Sequence, residues 1–191
     1  MSLALEMDTV GLLLRWHRRT LPGGFVGATR LARGRRAVYG EDVAHLALVP
    51  AAYVALLRGR EVLLQQRLAT GYMDGHWSFS AAGHVERGES VEMAAVREAQ
   101  EELGIVLRLA DLEPICTVHR RQTDRDRGQR VDFFFATRAW TGEPKVNEPD
   151  RSGGLRWSSL DDLPAPLVPV DAIALEMLRT GHHRAIATIG F

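Results

Sequence analysis

The sequence has almost no cysteine and almost no lysine. Among its 191 residues, Cys116 is the only cysteine and Lys145 is the only lysine. A lone cysteine excludes an internal disulfide bond and a cysteine-rich zinc site. Because such sparse cysteine is typical of a reducing compartment, we expect a cytoplasmic protein in which Cys116 is a small buried hydrophobic residue.

The chain also lacks net charge and a long apolar run. Its 24 basic residues balance its 24 acidic residues, so no overall field favours nucleic acid or an anionic membrane, and we predict no specific nucleic-acid partner. The longest apolar run, Val43 to Leu57, contains His45 and Pro50 and is shorter than the roughly 18 residues of a membrane span. The acidic N-terminus also gives no indication of a secretory signal.

Length and charge distribution predict one domain preceded by an arm. Seven arginines and no acidic residue lie between Asp8 and Glu41, so we divide the chain into a basic arm, 1–42, and a domain, 43–191. The arm is either a solvated lead segment, a dimer contact or a patch for an anionic ligand.

Within the domain, alternating strands and two separated helices predict an α/β fold with a mixed sheet covered on both faces, an α/β/α layering. Two apolar runs around Arg58-Gly59-Arg60 predict a hairpin. Ser90 can cap a helix that Gly104 ends. The predicted strands are 48–57, 62–66, 76–81, 114–120, 131–138 and 155–158; the predicted helices are 90–103 and 170–179, and 71–75 is predicted to be a loop.

The segment from Gly83 to Ile105 carries the chemistry. On a helix, Glu98, Glu101 and Glu102 share one face, so their carboxylates repel one another unless a cation lies between them. Oxygen ligands favour Mg²⁺, with Mn²⁺ as the alternative, and Mg²⁺ commonly binds together with substrate phosphates. Taken alone, the three glutamates also fit a solvent-facing acidic helix.

Two further residues of this segment support the same interpretation. Glu89 precedes the helix and can pair with Arg97 two turns later, which would hold the loop from Gly83 to Gly88 against the helix. Glycine at the start of that loop permits close approach of the backbone.

The whole segment resembles the Nudix box. It reads Gly, five residues, Glu, seven residues, Arg-Glu, an apolar residue, any residue, Glu-Glu, any residue, Gly and an apolar residue. Seven fixed residue types at these positions coincide by chance with a probability on the order of 10⁻⁸. The order of strands and helices is similar to that of the family from about Leu46 to Arg179.

This resemblance implies a Nudix-type α/β/α sandwich and a metal-dependent hydrolase that cleaves the pyrophosphate bond of a nucleoside diphosphate linked to another group. It implies metal ligation by Glu98, Glu101, Glu102 and the Gly83 carbonyl, with Glu89, Arg97 and Gly104 as structural support. Members of the family differ in the general base, so we predict Glu98 or Glu148. Asp150, Asp124 and Asp126 are weaker candidates.

The substrate is less well indicated. Many relatives carry proline before the box glycine, but this chain has Ala82 there, which weakens transfer of a substrate class. Four residues are candidates for substrate binding: Trp77 by stacking, His84 next to the first box glycine, and Arg120 and Arg121 through phosphate contacts. Homodimers are frequent among similar proteins, so a homodimer is one implied partner.

Two other functions fit parts of the pattern. An isopentenyl diphosphate isomerase shares the fold, but it needs a catalytic cysteine before the box, where this chain has Ser80 and Ala81. A non-catalytic module that binds nucleotides or RNA is the second, although such modules usually lose box glutamates and this chain keeps them all.

Overall fold

The computed structural model describes residues 46–121, 128–182 and 184–191, all within the compact unit Ala44–Phe191. The predicted arm and two of the weaker base candidates, Asp124 and Asp126, lie outside the described residues. Within the described ranges, no helix is both long enough and apolar enough to cross a membrane.

The predicted hairpin is confirmed. Strand β1 (Leu48–Arg58) and strand β2 (Glu61–Arg67) are antiparallel and joined at Leu57↔Val62 and Arg58↔Glu61. Gly59 adopts a φ of 58° in the tight turn between them, a conformation that glycine reaches without a steric penalty.

The predicted strand over 76–81 is two strands. Strand β3 (Trp77–Phe79) pairs with β2, whereas strand β4 (Ala81–His84) pairs with β1. The change of partner occurs at Ser80 because β1 and β2 are paired only next to their turn. A single run of residues therefore serves two diverging strands.

The remaining strands complete a mixed sheet, as predicted. Strand β6 (Gln129–Thr137) is parallel to β1 over nine residue pairs. Strand β5 (Glu113–Arg121) is antiparallel to β6, and strand β7 (Ser152–Ser159) is antiparallel to β2. Strand β8 (Ile186–Ile189), which sequence patterning missed because it has only four residues, is parallel to β5.

The two helices cover opposite faces of this sheet. Helix α1 (Val91–Leu103) begins at Ser90, whose hydroxyl accepts a hydrogen bond from the Met93 amide, and ends at Gly104 with a φ of 69°. Helix α2 (Pro169–Thr180) ends at Gly181. The α/β/α layering is therefore confirmed.

Each helix closes its own hydrophobic core. Along β1, Leu56 packs into the core beneath α1, whereas Ala55 and Leu57 pack into the core beneath α2. Successive strand residues point to opposite faces, so one strand supplies both cores. Under α1 the helix contributes mainly alanine, which brings its backbone close to β4 and the box glycine. The α1 residues in that core are Ala94, Ala95, Ala99 and Leu103.

Candidate active site

A cleft of about 540 Å³ opens between the sheet and α1, the helix of the Nudix box, which we call the box helix. One end is acidic and lies next to β4 and α1. The other end is formed mainly by polar side chains of β1, β5, β6 and α2. The acidic end is lined by Gly83, Glu98, Glu102 and Glu148, and the opposite end by Tyr53, Tyr72, His84, Arg120, Arg130 and Asp171.

Arg97 joins helix α1 to the box loop, the loop from Gly83 to Gly88, through hydrogen bonds. Its Nε and Nη2 donate to the two oxygens of Glu89 at 3.2 and 2.9 Å, and Nη2 also donates to the His84 carbonyl at 3.0 Å. Its Nη1 donates to Glu98 at 2.8 Å and to Glu101 at 3.0 Å. A guanidinium can make these contacts simultaneously because its donors form a planar fork.

Gly83 and Glu98 are in direct contact. A Cβ atom at Gly83 would lie 1.8 Å from Oε1 of Glu98, so this position accommodates only glycine unless the carboxylate moves. Partial burial, together with Glu101 and Glu148, raises the pKa of Glu98 above its ordinary value. The glycine thus makes room for a carboxylate that is held against the β4 backbone.

The pKa of Glu102 is perturbed more strongly than that of Glu98. Its Oε2 accepts a hydrogen bond from the Ala82 amide at 2.8 Å. Burial, followed by the charges of Glu98 and Glu148, raises its pKa to about 7. Glu148 comes from the loop between β6 and β7 and therefore reaches the same end of the cleft from a different part of the chain.

Glu101 does not line the cleft. Its side chain is 56% exposed and is held by Arg97 on the adjacent turn. Since successive helix residues are rotated by about 100°, Glu98 and Glu102 diverge by only about 40°, whereas Glu101 turns away from Glu98 by about 60° to the other side. The structure therefore brings Glu98 and Glu102 together at the cleft and leaves Glu101 outside it.

The acidic end has the donors that a hard cation requires. Across residues 46–121, 128–182 and 184–191, no three His, Cys, Asp or Glu side chains converge in a metal-binding cluster. The charge of Glu148 nevertheless raises the pKa of both Glu98 and Glu102, and a divalent cation would relieve the same repulsion. All-oxygen donors of this kind fit Mg²⁺ or Mn²⁺.

Sequence patterning predicted Arg120 but missed its buried partner Asp132 at the opposite end of the cleft. Arg120 Nε contacts the carboxylate of Asp132, and both side chains are almost fully buried. Arg120 Nη1 donates to the Tyr72 hydroxyl at 3.3 Å. Asp132 directly precedes the apolar run 133–136 in β6, and a charged residue beside this run was the signal in the sequence.

Asp171 is the second residue that sequence patterning missed. It is 1% exposed in the first turn of α2, and its Oδ2 accepts from the Phe79 amide at 2.9 Å. Among the residues that the structure describes, its Oδ1 has no hydrogen-bond partner. Burial raises the pKa of Asp171 to about 7, so near neutral pH this carboxyl group is poised between its acidic and ionised forms.

The four predicted substrate contacts divide into two pairs. His84 and Arg120 line the cleft, whereas Trp77 and Arg121 do not. Trp77 packs at the edge of the core beneath α2, and Arg121 is exposed at the end of β5. The weaker base candidate Asp150 is exposed and also lies outside the cleft lining.

The comparisons with known proteins agree with this geometry. A family model described as the NUDIX domain matches residues 47–178. The uncharacterized Nudix hydrolase YvcI of Bacillus subtilis is 30% identical over 122 residues, which cover 63% of this chain and 73% of the relative. The crystal structure of a MutT NUDIX hydrolase from Burkholderia pseudomallei superposes with a TM-score of 0.63 at 35% identity, covering 68% of this chain and 97% of that one.

Relatives with named activities are also similar. The NAD-capped RNA hydrolase NudC of Stutzerimonas stutzeri is 32% identical over 74% of this chain, which spans about half (49%) of that relative's length. The 8-oxo-dGTP diphosphatase of Escherichia coli is 30% identical over 59% of this chain and 84% of its own. The box, the fold and these similarities together show that the chain belongs to the Nudix family of hydrolases.

Proposed function

We propose that the protein is a divalent-cation-dependent pyrophosphohydrolase that cleaves a nucleoside diphosphate linked to another group. The observation that carries the proposal is that Glu98, Glu102 and Glu148 line one end of a cleft, with Glu98 against the first glycine of the Nudix box and Glu148 near enough to raise the pKa of the other two. The opposite end of the same cleft has polar groups that suit the remainder of a nucleotide.

Glu98 and Glu102, with the Gly83 carbonyl beside them, are the groups that we propose hold Mg²⁺ or Mn²⁺. When bound, such a cation neutralises phosphate charge and lowers the pKa of water. Arg97 supports this arrangement because it fixes Glu98 and the loop after Gly83 in one network. Metal ligation by Glu101 stays a prediction. We do not include Glu101 in the proposed set of ligands, because its carboxylate lies outside the cleft lining.

Of the two predicted bases, we propose Glu148. Arg97 donates a hydrogen bond to Glu98, which occupies a lone pair that a base would use. Glu148 is exposed to the cleft and lies close enough to raise the pKa of both Glu98 and Glu102. A carboxylate in this position can accept a proton from the attacking water.

The substrate is proposed only as a class. We expect a nucleoside triphosphate, a nucleotide sugar or a similar compound, because a cleft of about 540 Å³ is lined by carboxylates suited to metal-bound phosphates and by Arg120 and Asp171, which suit a further polar group. The relatives named for 8-oxo-dGTP and NAD-capped RNA define compounds that a substrate survey must include.

The isomerase alternative has a similar relative but no supporting chemistry. The isopentenyl-diphosphate Delta-isomerase of Photobacterium profundum is 37% identical over 42% of this chain. The single cysteine, Cys116, is buried, and burial raises the pKa of its thiol to about 11. It also lies outside the cleft lining, so we favour hydrolysis.

The test is phosphate release, coupled to a phosphatase, from nucleoside triphosphates, 8-oxo-dGTP, nucleotide sugars, dinucleoside polyphosphates and NAD-capped RNA, with and without Mg²⁺. Isopentenyl diphosphate is assayed for isomerisation. We expect Mg²⁺-dependent turnover of one class of substrate. Tight nucleotide binding without turnover of any compound would instead support the non-catalytic module.

Glu102→Gln is the variant to run beside the wild type. It removes the charge while keeping the shape and the acceptor for the Ala82 amide, so we expect the fold to remain intact. Loss of a transition-state electrostatic contact lowers kcat by about 10²- to 10³-fold. Wild-type turnover and Mg²⁺ affinity in this variant would show that the assigned role is wrong.

A further inference from the structure

The loop that carries Glu148 is attached to the C-terminal end of the box helix. The Lys145 amide donates to the Leu103 carbonyl at 3.1 Å, and the Asn147 amide donates to the Glu102 carbonyl at 3.0 Å. The Asn147 side chain adds a bond from Nδ2 to the Glu101 carbonyl at 3.1 Å. Residues 145–147 thus satisfy carbonyls that a helix end leaves without intrahelical partners.

Gly104 provides the space for this attachment. A Cβ atom at Gly104 would lie 3.1 Å from Asn147 Nδ2 and 3.3 Å from Lys145 Cε. The left-handed φ of 69° ends the helix here. Gly104 therefore both ends α1 and leaves room for Asn147, which follows 43 residues later in the chain.

The other side of Glu148 is attached as well. The Arg151 amide donates to the Glu148 carbonyl at 3.1 Å, and the Arg151 carbonyl accepts from the Leu68 amide at 3.0 Å. Glu148 consequently lies in a short span between the end of α1 and the end of β2. Within the described part of the chain, only the α1 side of this span is held by a side-chain hydrogen bond as well as by backbone groups.

From these contacts we infer that Asn147 is a positioning residue: it fixes Glu148 at the acidic end of the cleft by binding the C-terminal carbonyls of α1. The inference rests on the proposed role of Glu148 as the base. Asn147 is one residue away from Glu148, so its side-chain bond constrains the backbone that directs the carboxylate. Small displacements of a catalytic group, of about 1 Å, can cost about 10²-fold in rate.

The test compares Asn147→Asp with the wild type. The substitution keeps the shape, removes the donor and places a carboxylate against carbonyls at the negative end of the helix dipole. We expect kcat to fall by about 10-fold or more, since the base is displaced, while KM changes little. Asn147→Ala removes the same donor without adding a charge. We expect its kcat to lie between those of the wild type and Asn147→Asp.

Thr180→Val is the matched control. Thr180 Oγ1 donates to the Glu176 carbonyl at 2.8 Å at the C-terminal end of α2, away from the cleft. The Thr180→Val substitution removes a side-chain hydrogen bond to a carbonyl near the C-terminal end of α2, as Asn147→Asp does at α1. If Thr180→Val lowers kcat as Asn147→Asp does, the loss reflects general destabilisation and the inference is wrong.

Amide exchange gives a readout that does not depend on activity. In metal-free protein, Asn147→Asp accelerates exchange of the Lys145 amide, which donates to the end of α1, while the amides inside α1 stay protected. Unchanged exchange at Lys145 would overturn the inference.

Glu148→Gln separates this inference from the proposed function. If Glu148→Gln is impaired and adding Asn147→Asp lowers kcat no further, Asn147 acts through Glu148. If Glu148→Gln is impaired but Asn147→Asp behaves as wild type, or if the two losses multiply, the positioning role is wrong and the base assignment stands. Wild-type activity of Glu148→Gln would overturn both assignments and leave the pyrophosphohydrolase proposal to the Glu102→Gln result.

Discussion

At the scale of single residues, the acidic end of the cleft depends on one missing side chain. The Glu98 carboxylate occupies the position that a Cβ of residue 83 would take. Glycine is required here for space rather than for backbone conformation, because its φ is not in the left-handed region.

Gly83→Ala tests this requirement. The new methyl group must displace the Glu98 carboxylate, which is the end of a flexible side chain, so we expect the free energy of unfolding to change by less than about 1 kcal/mol. The same displacement should lower kcat by about 10²-fold. Urea unfolding and steady-state kinetics measure the two effects.

Gly153→Ala is the control for that prediction. It also lies in a strand with ordinary φ, and its Cβ would meet the flexible end of Gln66 at 3.0 Å, outside the cleft lining. Equal activity losses in the two variants would contradict a special role for Gly83.

Asp171 gives the protein a predictable pH dependence of stability. Its pKa is raised to about 7 in the folded state, against an ordinary value of 3.8, so the folded state binds the proton more tightly than the unfolded state. The associated stability is fully present below about pH 4 and is lost as pH rises through about 7. Arg67, Arg120 and Asp132 are the charged groups that act on it.

Asp171→Asn should therefore flatten the pH dependence of unfolding. The amide oxygen can still accept from the Phe79 amide, but the residue no longer titrates. We expect urea-unfolding free energies of metal-free wild type to fall more steeply between about pH 4 and 7 than those of the variant. Glu102 titrates in both proteins, so the difference isolates Asp171, and parallel pH profiles would contradict the assignment.

At the scale of elements, Arg97 joins the box loop to the box helix. One guanidinium contacts Glu89, Glu98 and Glu101 and the His84 carbonyl. A lysine at this position offers a single ammonium and cannot span partners on both elements.

We expect Arg97→Lys to lower the free energy of unfolding by about 2 kcal/mol, which lies in the range for charge-assisted hydrogen bonds. We also expect turnover to fall, because the Glu98 carboxylate loses the hydrogen bond from Arg97 that fixes it. Arg108→Lys is the control, since Arg108 makes a two-pronged contact with Asp111 on the surface, where its side chain is 78% exposed. We expect no resolvable stability change there. If urea unfolding shows that Arg97→Lys and Arg108→Lys are equally destabilised, the attachment of the loop from Gly83 to Gly88 does not depend on Arg97.

Much of this element-scale arrangement could be predicted from sequence. The hairpin, the box helix with both ends, and the second helix follow from local patterns, because caps, turns and periodicity depend on neighbours a few residues apart. The division of 76–81 into two strands could not be predicted in this way. It depends on which of two diverging strands lies nearby, and that is settled by the sheet as a whole.

At the scale of the whole molecule, the matched family region, 47–178, coincides with most of the described residues. The division into arm and domain remains a prediction, as does the homodimer. A chain beginning at Val43 tests both.

We expect the 43–191 protein to unfold within about 4 °C of the full chain, the shift that corresponds to about 1 kcal/mol for a domain of this size. We also expect it to keep its turnover of the substrate identified in the survey. Calorimetry, kinetics and sedimentation velocity measure stability, activity and oligomeric state. Loss of activity together with a change in mass would assign the arm to a dimer contact.

What the sequence by itself determined is local. The box spacing places glutamates one helical turn apart, puts Arg97 within reach of Glu89, and ends the helix at a glycine. These relations depend only on helical geometry and on residues close together in the chain, so they can be derived before any fold is known.

The tertiary structure decided which of those groups share the cleft. It directed Glu98 and Glu102 into the cleft and left Glu101 outside, brought Glu148 to them from a distant loop, and buried Asp132 and Asp171 at the opposite end. Residue spacing cannot specify which groups line the cleft together, because helix α1, the loop with Glu148, strand β6 and the start of α2 are far apart in the sequence. Their positions depend on how two helices pack against opposite faces of one twisted sheet.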